Sequence, residues 1–151
     1  MSNRFRLGIV LRLREMAEET ARIELGHAVD AHQHAVGAVE AAHLRAGQEL
    51  RWLSDLHSGT SEGGQLQSAV LAVASAQRAI DSSQERLGRA SSALFEARRL
   101  LADATRQREV VERLRDRFLA AERRESERQD GLAMSEIAST QHAIRAARNR
   151  S

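Results

Sequence analysis

The sequence predicts an all-α fold, a long antiparallel two-helix coiled-coil hairpin with a C-terminal helical overhang. Leu66, Val73, Ile80, Leu87, Leu94 and Leu101 recur every seven residues, with Ala69, Ala76, Ser83, Ala90, Ala97 and Ala104 three places after each. This is a heptad seam. The chain contains no proline and one cluster of turn formers, Ser58 to Gly64, so helix can run on both sides of a single break. Of the 151 residues, 42% are hydrophobic, 3% aromatic and 29% charged. Alanine and leucine therefore supply the apolar surface, as in extended helices rather than in a core filled by large side chains.

The expected elements belong to one elongated domain, 1–151, with arm one at 4–57, a turn at 58–64, arm two at 65–128 and the overhang at 129–151. In arm one the seam reads Leu25, Ala28, His32, Ala35, Val39, Ala42, Ala46, Glu49, Leu53 and Leu56. Small alanines allow close approach, and His32 and Glu49 are polar interruptions of the kind that fix register at some cost in stability. The turn holds Gly59, Gly63 and Gly64 to end a helix, with serine and threonine as candidates to cap the next. A connection this short favours antiparallel neighbours. Pairing outward from it sets Leu56 near Leu66, Val39 near Ile80 or Ser83, Leu11 near Val111 and Phe5 near Phe118. Arms of about fifty residues rise roughly 75 Å at about 1.5 Å per residue, so a solution scattering profile should be that of an extended particle, and a sphere-like profile would exclude the hairpin.

When arm one reaches Met1, arm two has reached only about Glu122 in this pairing, so the residues beyond have no partner in their own hairpin. They comprise a charged stretch, Glu122 to Arg128, and then Leu132, Met134, Ile137, Ala138 and Ile144. Apolar residues on an unpaired helical segment either fold back or await another protein.

All basic residues are arginine, and the net charge of +2 hides a pattern. Residues 1–14 carry +4, 15–62 carry −6, 63–136 carry +1 and 137–151 carry +3. Arg106 to Arg128 has eight arginines but also six acids. Interleaved signs indicate salt-bridged exposed faces, and stacking aromatics are scarce, so nucleic acid is not expected as a partner. The basic start, with Ile9, Val10 and Leu13 among its arginines, fits either an anionic membrane surface or the first turns of the hairpin. The second is preferred, because those residues would then cover Leu114 and Phe118.

His27, His32, His34 and His43 fall in one helix without the i, i+4 pairing or HExxH pattern of a helical zinc site, so no metal is expected. The glycines of the turn lack the lysine and strand of a phosphate loop. No nucleophile elbow or pair of buried carboxylates is visible either. The expectation is a non-enzyme without cofactor or small-molecule substrate. The absence of cysteine fits a reducing compartment, and no apolar run is long enough for a signal peptide or a membrane span.

The opening Phe5, Arg6, Leu7, Val10 to Glu15, Glu18, Glu19, Ala21, Leu25 and Ala28 resembles the start of the flagellar FliJ family. Val111 to Arg117, Glu122 to Glu127 and Leu132, Glu136, Ile137 and Ala138 look like that family's C-terminal helix. The resemblance implies a cytoplasmic component of the flagellar type III protein export apparatus, held peripherally at the inner membrane through that apparatus. Such a protein acts as a stalk: it promotes assembly and activity of the export ATPase hexamer, links it to the cytoplasmic domain of the export gate, and has a chaperone-escort role with export chaperones as further partners. Leu132, Ile137, Ile144, Arg4 and Arg12 would then face the ATPase. Ala46, Leu50, Ala72, Ala76 and Ala79 stand at the gate-facing positions, where the family tends to carry aromatics. The rival reading is a structural or membrane-surface coiled coil without an ATPase partner.

Overall fold

The computed structural model describes residues 2–60 and 62–149, with side chains from Arg6 onward. Helix α1 spans Ser2–Ser58 and helix α2 spans Gly63–Arg148, and the two pack against each other as a helical hairpin. Their packing divides into two units, Met16–Thr105 and Met1–Glu15 with Arg106–Ser151.

In the unit Met16–Thr105 the helices meet along the heptad seam. Every one of its twelve positions on α2, from Leu66 to Ala104, is buried or half-buried, with Ala69, Ala76, Ile80, Ser83 and Leu94 the most enclosed. All ten positions of the α1 seam, Leu25 to Leu56, are half-buried, His32 and Glu49 included. A two-helix seam leaves each side chain one edge in water, which is why most of these positions are half-buried. Ser83 satisfies its hydroxyl locally by donating to the Ile80 carbonyl at 2.8 Å.

At the far end of this unit the seam becomes polar. Glu18 is only 9% exposed; its Oε1 accepts from the Thr105 hydroxyl at 2.9 Å and lies 3.5 Å from Arg22. The register that sets Leu56 beside Leu66 puts Glu18 opposite Ala104, one residue from its observed partner. A polar contact inside a heptad seam fixes register and orientation. Glu18→Ala should therefore cost about 1–2 kcal/mol in urea unfolding, since it strips a charge-assisted acceptor from a part-buried hydroxyl; unchanged stability would show that the pair is idle.

The turn is built differently from the expectation. None of the described glycines has a positive φ, so no glycine here closes α1 through a left-handed backbone. Ser58 instead donates its hydroxyl to the Asp55 carbonyl at 3.1 Å. The carbonyl of Glu62 accepts from the amides of Gln65 and Leu66 at 2.9 and 3.3 Å, so a glutamate rather than a serine or threonine stands at the cap of α2. Its negative charge suits the positive end of the helix dipole.

In the unit Met1–Glu15 with Arg106–Ser151, Leu11 and Val111 are buried, and Leu7 and Phe118 half-buried. Arg14 donates from Nη1 to Gln107 Oε1 at 2.7 Å, again within one residue of the expected pairing. The role assigned to Ile9, Val10 and Leu13 is corrected: all three are exposed, Leu13 by 60%, and Leu114 is 48% exposed. With 3.6 residues per turn, Leu7 and Leu11 take the seam and rotate Ile9, Val10 and Leu13 away from it. Phe5 lies outside the residues whose side chains are described.

Candidate partner-binding surfaces

Beyond Leu119 helix α2 continues without interruption, Gly131 included. Residues 120–149 are exposed apart from half-buried Ala146. A lone helix in water depends on its own side-chain pairs. Arg128 donates to both carboxylate oxygens of Glu125, at 3.0 and 2.8 Å, and Gln129 Nε2 donates to the same carboxylate at 3.0 Å. These bonds hold Glu125 below its ordinary carboxylate pKa, Arg128 contributing most and Gln129 next. Further on, the Thr140 hydroxyl bonds back to the Glu136 carbonyl at 2.9 Å.

On this helix Leu132 and Ile137 are each 55% exposed and Ile144 61%. Ile137 and Ile144 are seven residues apart and lie within about 20° of one line along the helix, whereas Leu132 sits about 140° round from Ile137. The three therefore do not form one stripe. Ile137 and Ile144 are the pair that a single partner surface can engage, with Ala133 near the same line. Of the arginines expected beside them, Arg12 is exposed and Arg4 lies outside the residues whose side chains are described.

The five gate-facing candidates are divided. Ala76 is buried in the seam, Ala46 and Ala72 are half-buried, and only Leu50 and Ala79 are exposed. Ala72, Ala76 and Ala79 line a shallow groove with Arg45, Glu49 and Ser75. Leu50 is not part of it, because it lies about 140° round α1 from Arg45. What this region offers a partner is a narrow floor of small side chains between an arginine and a glutamate.

The histidines do not converge. His32 is half-buried at a seam position, while exposed His34 donates from Nδ1 to the Asp30 carbonyl at 2.8 Å. Among the described residues no group of three histidine, cysteine, aspartate or glutamate side chains is arranged to hold a metal ion, and no helix is long and apolar enough to cross a membrane. Sequence reasoning missed Phe95, which stands 71% exposed on α2; it falls one residue after buried Leu94, and its heptad position would have given its exposure away.

Comparison with curated proteins and with solved structures gave no match. Comparison with protein families gave one described as "Flagellar FliJ protein", matched over residues 2–147. The match runs through both arms, the turn and the exposed tail, so this chain belongs to the flagellar FliJ family and has a role related to flagellar protein export.

Proposed function

We propose that this chain is a non-enzymatic stalk of the flagellar export apparatus, which promotes assembly and activity of the export ATPase ring and links that ring to the export gate, with a chaperone-escort role. The observation that carries the reading is the family match over nearly the whole chain. Two features of the fold support it. The hairpin seam gives each arm a rigid partner, and the C-terminal helix presents Ile137 and Ile144 to solvent, where only another surface can bury them. In this reading the tail engages the ATPase and the groove of Ala72, Ala76 and Ala79 meets the gate, with Leu50 as a separate contact.

Purification of the tagged chain from its source lysate, followed by ATPase assays on what co-purifies, tests the proposal. The expected result is an export ATPase whose hydrolysis rises when more of the chain is added. Reproducible partners without an ATPase would favour the structural coiled coil instead.

A further inference from the structure

The shallow groove floored by Ala72, Ser75, Ala76 and Ala79 carries a base and an acid on its α1 side, Arg45 exposed and Glu49 half-buried. Among the described residues neither forms an ion pair or a side-chain hydrogen bond. Their order along α1 gives the reason, since a base one turn N-terminal to an acid is the weaker arrangement of an i, i+4 pair. Both charges are left for an incoming surface.

That surface must carry both signs. A uniformly acidic or uniformly basic partner would meet its like at Glu49 or Arg45, so what fits is an acid and a base one helical turn apart, presented in reverse order. A second copy of the groove, turned end to end, supplies this. A two-fold axis across the hairpin at the level of Gly47 sets Arg45 of each copy against the partner's Glu49, which makes the contact self-complementary and closed.

The other helix obeys the same axis. In the register that places Leu56 beside Leu66, Gly47 is level with Ser75, so the axis sets Ala72 against the partner's Ala79 and Ser75 against the partner's Ala76. Each helix then faces its own copy antiparallel, as in a four-helix bundle. Trp52 lies within about 20° of the Arg45 line on α1 and is 42% exposed. The axis brings it level with the partner's Ala38 and the partner's Ala41, both exposed, where small side chains leave room for an indole. At the rim Arg89 comes level with the partner's Glu62, again of opposite sign. From Gln65 to Arg86 this face of α2 is about 30 Å long and the two helices are about 20 Å across, so each copy would cover about 600 Å². Such an area stands at the low end of specific interfaces, where association is reversible.

We propose that this groove is the interface of a reversible antiparallel homodimer, in which Arg45 of each copy pairs with the partner's Glu49. The same groove is assigned above to the export gate, so the dimer and that contact exclude each other. The assay below contains no gate, and its outcome leaves the export-stalk reading untouched.

Sedimentation equilibrium of the full chain, from micromolar to several hundred micromolar concentration, tests the dimer. The wild type should pass reversibly from monomer to dimer. Arg45→Glu and Glu49→Arg should each raise the dissociation constant about tenfold, because two ion pairs become repulsions. An equimolar mixture of the two variants should regain the wild-type constant, since every contact then joins opposite charges. Pairing of these residues within one chain cannot produce that recovery. Glu49 also belongs to the hairpin seam, so thermal melts of each variant separate lost pairing from lost folding. Ala79→Arg, which crowds the exposed edge of the groove and leaves the seam intact, should abolish the dimer whether or not Glu49→Arg folds. A chain that stays monomeric throughout overturns the proposal. So does a mixture of folded variants no tighter than its components, or a dimer indifferent to Ala79→Arg, which would place the contact on another surface such as that around Phe95.

Discussion

Leu94→Ala should destabilise the hairpin by about 2 kcal/mol or more in thermal or urea unfolding, while Arg89→Ala should change it by under about 0.5 kcal/mol. Leu94 is 9% exposed, the most enclosed leucine of the α2 seam, and the register sets it against Ala28 of α1. A second alanine opposite Ala28 would leave a gap between two helices whose backbones are held apart by neighbouring layers, so the loss combines buried area with an unfilled cavity. Leu87, half-buried, should lose less on the same change. Equal and negligible shifts for Leu94→Ala and Arg89→Ala would mean that the seam is not where the helices meet.

The second large effect is functional. Ile137→Asp with Ile144→Asp should abolish stimulation of the export ATPase and motility while leaving hairpin stability nearly unchanged. Both side chains are more than half exposed, so a carboxylate there desolvates nothing in the free protein. In a complex the same change places charge at the apolar anchors that dominate interface energies. Leu132→Asp alone should have a smaller effect, because Leu132 points to a different side of the helix. Full ATPase stimulation by the double variant would make the tail dispensable, and unfolding of the arms would make it part of the core.

The seam was legible because one physical demand, burying a narrow apolar stripe, wrote itself as a period. Twelve positions of α2 and ten of α1 fall where their spacing puts them, and the turn alone fixed the register to within one residue at Glu18 and Arg14. What escaped was whatever depends on angular position outside the stripe. Leu132 and Ile137 look like neighbours in a list of apolar residues, yet five residues turn the helix by about 500°, which parts them. Ile9, Val10 and Leu13 were given to the seam because their apolar character was weighed before their phase. The cap at Glu62 was hidden for another reason: its contribution is a backbone carbonyl, and any residue type can supply one.

The most direct test of the central claim is site-specific photo-crosslinking from Ile137 in the full chain, in cells assembling flagella. The account predicts an adduct with the export ATPase from Ile137, and none from exposed Ser92 on the other unit. Adducts from Ile137 only to the chain's own helices, with the ATPase never captured, would contradict it.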